Sequence, residues 1–151
     1  MSSFMLMGFF AVAGGQRSTS VNAQRGTSTF YNYYFTAIQC SSGDLLLTQL
    51  RIYSPRDDIP LSDNTVIFSV AHVHVPANAT VLLDTFSVYP FPGDSNDNNY
   101  QSPIPDMPYP YAIDLDTVLL KHDILADGKS KAFLVEVHEC VHDEQRSSSL
   151  Q

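Results

Sequence analysis

Apolar and polar residues alternate with a period of two along most of the chain after Phe30. That is the spacing of half-buried strands, and no stretch shows the three-to-four spacing of a helix. Phe30–Cys40 (FYNYYFTAIQC) is dense in aromatic and β-branched side chains and predicts a first strand. Ser42-Gly43-Asp44 supplies a turn. Leu45–Tyr53 places Leu46, Leu50 and Ile52 on one face and predicts a second strand. Thr65–Val75 (TVIFSVAHVHV) carries the clearest strand pattern and is broken by Pro76-Ala77-Asn78. Ala79–Tyr89 predicts a fourth strand and Ile113–Leu120 a weaker fifth. After a turn at Asp127-Gly128, Lys131–Cys140 (KAFLVEVHEC) predicts the last.

Between these strands, Ser54–Asn64 is rich in proline and aspartate and reads as a loop. Pro90–Tyr111 holds six of the nine prolines, so it is no central strand, because each proline removes a ladder donor. Residues 1–29 show neither period. They are expected to be a disordered tail or a processed leader, ahead of a β-barrel domain at 30–143 and a disordered tail at 144–151. The apolar run Phe4–Ala13 is ten residues long, against the roughly 20 that a spanning helix needs. Ala11-Val12-Ala13 and Val21-Asn22-Ala23 resemble signal cleavage sites, but no Lys or Arg precedes the apolar run. These flanks favour an intracellular protein. Secretion is the alternative, and in that case the sequon Asn78-Ala79-Thr80 is usable. Five or six short strands in about 110 residues predict an all-β fold, a small five- to six-stranded barrel or a sandwich.

The stretch TVIFSVAHVHVPANATVLLDTFSVYPFPGD, then IPDMPYP and FLVEVHECVHD, resembles an uncharacterised family of proteins from mushroom-forming fungi. The resemblance spans roughly Phe30 to Asp143. It implies an OB-like barrel, of the oligonucleotide/oligosaccharide-binding type. It implies no catalytic residues.

Charge narrows the partners. The net charge is −8, and between Phe30 and Asp143 fifteen Asp and Glu face only Arg51, Arg56, Lys121, Lys129 and Lys131. A duplex-binding protein needs a basic stripe and an anionic membrane attracts cations, so neither partner is expected. The hydrophobic fraction of 44% is enough for a packed core.

Candidate chemistry is sparse. His138-Glu139-Cys140-Val141-His142 fits H-E-x-x-H, which on a helix holds one zinc between two imidazoles beside a glutamate base. Here Phe133, Val135 and Val137 alternate with Leu134, Glu136 and His138, which is strand spacing. In a strand, positions i and i+4 lie roughly 13 Å apart, too far for Zn–N bonds of about 2.0–2.1 Å. No metal is expected, with His138 and His142 kept as the ligands of the competing zinc-hydrolase reading. His72 and His74 share a strand face and either bind a metal with an unidentified third ligand or form a polar, solvent-facing strand end. Asp94–Asn99 fails the calcium-loop pattern, with Asn99 at the glycine position and Pro105 at the glutamate position. Cys40 and Cys140 are either free thiols or a disulfide. In the proline-rich loop, Tyr89, Phe91, Tyr100, Tyr109 and Tyr111 are the candidate ligand-binding residues. Proline lowers the entropic cost of presenting their rings; the alternative is that they fill the core.

The sequence therefore points to a non-catalytic binding module, without a cofactor, for a protein, peptide or single-stranded nucleic acid. Two alternatives stand beside it. One is the zinc hydrolase, the other a secreted, lectin-like β-sandwich stapled by Cys40 and Cys140.

Overall fold

The computed structural model describes residues 3–22, 26–40, 42–55, 58–76, 79–115 and 122–150. Among them are ten strands and no helix: β1 (Ser3–Asn22), β2 (Thr27–Gln39), β3 (Leu45–Tyr53), β4 (Thr65–His74), β5 (Val81–Pro90), β6 (Tyr111–Leu115), β7 (Asp123–Ile124), β8 (Lys131–Ala132), β9 (Val135–Val141) and β10 (Glu144–Leu150). The all-β expectation holds. β3 has the predicted bounds, and β4 and β5 lie within a residue or two of theirs. The predicted fifth strand begins earlier, as β6, and its second half lies outside the described residues, as do Asn78 of the sequon and the cations Arg56 and Lys121.

The expected N-terminal tail is corrected: most of it is the longest strand. β1 pairs with β4 through its first half, from Met5↔His72 to Val12↔Thr65. It pairs with β2 through its second half, from Ala13↔Phe35 to Asn22↔Thr27. The change of partner occurs at Gly14-Gly15, where one extra residue is inserted against β2 and Gly14 has φ of 65°. A glycine in the left-handed region at a bulge bends a strand sharply. A Cβ on Gly15 would lie 2.8 Å from Cε1 of Tyr34, so the bend also brings the backbone onto a core ring.

That bend closes a ring. β1, β2, β3, β5 and β4 are hydrogen-bonded in this order and back to β1, with β3 and β5 the parallel pair; β6 adds to the edge of β1. Inside lie Leu6, Phe10 and Val12 of β1, Tyr34 and Ile38 of β2, Leu50 of β3, Ile67, Ala71 and Val73 of β4, and Val81 and Leu83 of β5. Leu50, Ile67 and Leu83 are wholly buried, each worth about 1.5–3 kcal/mol.

The expected C-terminal tail is corrected as well. Glu144–Leu150 pairs with β9 in a hairpin whose two-residue turn, His142-Asp143, has φ of 54° and 65°. Positive φ at both positions is the primed turn that suits strand twist. The hairpin lies on the outside of the ring. Val137 and Val141 are buried under it, and Ser148 Oγ accepts the Val75 N–H at 3.0 Å and meets His74 Nδ1 at 3.0 Å. Glu139 accepts hydrogen bonds from Ser3 Oγ at 3.0 Å and from the Phe4 amide at 3.2 Å, with His72 Nδ1 packed against its carboxylate.

Candidate binding site

Alternation along β2 sends Asn32, Tyr34 and Thr36 into the ring and leaves Tyr31, Tyr33 and Phe35 on its outer face. On β3, Thr48 and Leu50 point inward while Gln49, Arg51 and Tyr53 lie outside with them. Register aligns the two rows: Tyr31 opposes Tyr53, with the rings edge to face at 6.4 Å, and Tyr33 opposes Arg51. On β5, Asp84 stands beside Arg51, and Phe86 is pushed out where the ladder to β4 slips by one residue. Phe86 is 57% exposed and Tyr53 61%. Together with Thr85, Ile52 and Val88 they line a shallow groove of about 220 Å³. Beyond Phe86, at 5.1 Å, lies the His72 ring. An aromatic row thus crosses three adjacent strands.

One wall of this row is the hairpin turn. Arg51 is almost wholly buried and forks onto Asp84, with Nε to Oδ1 at 2.9 Å and Nη2 to Oδ2 at 2.5 Å, while Nη1 reaches Asp143 Oδ2 at 2.5 Å. Its guanidinium also stacks on Tyr31, 4.3 Å from the ring centre. Burial alone would lower the Arg51 pKa, but the hydrogen bonds to Asp84 and Asp143 outweigh it and hold the guanidinium above its ordinary value. Burial, then the Asp143 charge, pushes the Tyr31 phenol up, so it stays protonated and can both donate and accept. His142 packs edge to face on Tyr33 at 5.6 Å and meets the Leu83 carbonyl at 3.0 Å. Burial pushes its pKa down, against that hydrogen bond. Among the described residues, the face therefore offers rings, a neutral imidazole and two carboxylates paired with Arg51.

The residues singled out from sequence fare unevenly. Tyr100 is not presented: it is buried, donates to the Phe91 carbonyl at 3.0 Å and accepts the Val66 N–H at 3.1 Å, closing one end of the ring. Phe91 is half-buried against it at 6.0 Å. Tyr89, Tyr109 and Tyr111 are exposed, but Tyr111 belongs to β6 rather than to the loop. The H-E-x-x-H string runs along β9 and into the turn. His138 faces solvent beside Ser147, Glu139 faces the ring and His142 sits in the turn, so the shared helical face that the zinc reading needs does not form. His72 and His74 do share the outer face of β4, but both are half-buried under the hairpin instead of facing solvent. Asp94 and Asp97 cap their own loop, accepting from the Asn96 and Asn99 amides. Cys40 and Cys140 are free thiols, the first half-buried and the second exposed, so the disulfide staple is withdrawn.

Sequence reasoning missed the Tyr31–Tyr53–Phe86 row. Its trace was present in FYNYYF, but both phases of that segment carry aromatic rings, so alternation alone does not say which phase faces out. No protein-family model, no curated protein and no solved structure matches the chain.

Proposed function

We propose that the protein is a non-catalytic binding module that takes a neutral oligosaccharide on the outer face of β2, β3 and β5. The observation that carries this is the exposed pair Tyr53 and Phe86 beside Asp84 and Asp143, on a face where Arg51 is engaged by both carboxylates. Aromatic rings stack on the C–H faces of sugars, and carboxylates accept from sugar hydroxyls without needing a charged ligand. A ring of order β1-β2-β3-β5-β4 with a parallel β3–β5 pair agrees with the oligonucleotide/oligosaccharide-binding barrel, which binds on the face of its second and third strands. Charge favours the sugar over the phosphate-bearing ligand: a net charge of −8 repels phosphates, and single-strand binding usually uses a cationic groove.

Calorimetric titration with a panel of neutral gluco-, manno- and galacto-oligosaccharides tests the reading. Saturable binding is expected for at least one of them, weakened about tenfold or more by Tyr53→Ala or Phe86→Ala and insensitive to salt. Absence of binding across the panel, together with salt-dependent binding of a single-stranded oligonucleotide, overturns it in favour of a nucleic-acid ligand.

A further inference from the structure

Asn32 is only 2% exposed, and it is a polar side chain inside the ring. Its Nδ2 donates to Ser54 Oγ at 3.0 Å, while its carbonyl Oδ1 has no hydrogen-bond partner among the described residues. A buried amide oxygen left alone is disfavoured, and such a group usually marks a place where something else donates. Asn32 lines a cavity of about 230 Å³ at the end of the ring where β3 leaves and β5 finishes. Its walls are the Tyr34 ring, Ile52, Leu61 and Val88, and its lip carries the exposed Tyr53 and Ile59. The Tyr34 hydroxyl, beside the Asn32 side chain, accepts the Leu61 N–H at 2.8 Å. Asp58 is the one described charged residue in the lining, and it accepts from Ser54 Oγ at 3.3 Å.

This cavity is too large for one water, whose share of liquid volume is about 30 Å³, and its walls offer few groups to hold several. A dry pocket of about 150 Å³ is known to suffice for benzene. From the orphaned carbonyl and the apolar walls, we propose a second binding site, which borders the outer-face groove and shares Ile52, Tyr53 and Val88 with it. It takes one small uncharged ring bearing a hydroxyl. The ring packs between Tyr34, Ile52, Leu61 and Val88, and the hydroxyl proton is donated to Asn32 Oδ1. The apolar walls leave a carboxylate without solvation and so disfavour an anion, while at the lip Asp58 has Arg17 beside it, Nη1 donating to the Asp58 carbonyl at 2.8 Å.

Titration of the whole chain with phenol, toluene and benzoate, followed by amide chemical shifts, tests this. Phenol should give saturable shifts centred on Asn32, Ile52, Leu61 and Val88. Toluene should bind roughly two- to tenfold more weakly, the worth of one neutral hydrogen bond, and benzoate should not bind there. Asn32→Leu should reverse the order of phenol and toluene. Val88→Phe, which fills the cavity and leaves Asn32 in place, should abolish binding of both while keeping a cooperative thermal transition; it serves as the test should Asn32→Leu fail to fold. Equal affinities for phenol and toluene, shifts scattered over the surface, binding that survives Val88→Phe, or an ordered water on Asn32 Oδ1 that saturating phenol does not displace would each overturn the proposal.

Discussion

Arg51 shows how one side chain joins three distant parts of the chain. Its fork onto Asp84 is largely shielded, with side chains 5% and 21% exposed, whereas the Asp143 carboxylate is 61% exposed. Removing one partner of a shielded pair strands the other. Arg51→Ala is therefore expected to lower unfolding free energy by about 3–5 kcal/mol, and Asp143→Asn by less than about 1 kcal/mol, in urea titrations at neutral pH. Comparable losses from the two variants would contradict this division. Histidines set the pH response. Burial lowers the pKa of His142; burial and then Arg146 lower that of His74. On unfolding both return to about 6.5, so between the folded values and about 6.5 the unfolded chain binds more protons. Stability from these two residues is full above about pH 6.5 and is lost as the pH falls through their folded pKa values. A series of urea midpoints should decline in that window, and His142→Gln should flatten the decline. A flat midpoint in the wild-type chain over the same window would show that burial leaves these rings untouched.

At the scale of elements, β1 and the hairpin matter most. β1 supplies partners to β2, β4 and β6, so a chain lacking residues 3–13 leaves the ring open and is expected to lose its cooperative thermal transition. A truncated chain that melts cooperatively would show that the ring closes without β1. The bend can be tested separately. Gly15→Val drives a side chain into Tyr34, whose ring is buried and whose hydroxyl is held by Leu61, and should cost about 1–3 kcal/mol or more. Gly26→Ala meets only a left-handed backbone, φ of 60° with open space around it, and should cost about 1 kcal/mol. Strands β3 and β4 were legible because their alternation is regular and their ends are marked by glycine, proline and aspartate. β1 was not, because its outward positions Phe9 and Ala11 are apolar too, and Gly14-Gly15 breaks the period midway. β10 (EQRSSSL) was hidden by polarity: apart from the buried Ser148, its composition is that of a tail.

For the whole molecule, ring closure, the added strand β6 and the docked hairpin join residues distant in sequence. Met5 meets His72, Ser3 meets Leu115, and Arg51 meets Asp143. Such topologies must close long loops before their contacts form. Stopped-flow refolding is therefore expected in the millisecond-to-second range, as for other non-local β folds. Complete refolding within about a hundred microseconds would show that local structure, not ring closure, limits the rate.

The sequence by itself determined the all-β class, the bounds of β3 and the inward phase of β4, because side-chain alternation is a local property that needs no partner to be read. It also determined the acidic balance, a net charge of −8. Tertiary structure alone decided that residues 3–22 complete the ring, since that depends on which strand edges are left open elsewhere. It decided which phase of FYNYYF faces inward: Tyr34 is the ring whose hydroxyl finds Leu61, so Tyr31 and Tyr33 remain outside. And it assembled the candidate site from β2, β3, β5 and the hairpin turn, because side chains so far apart in sequence meet only where register and closure place them.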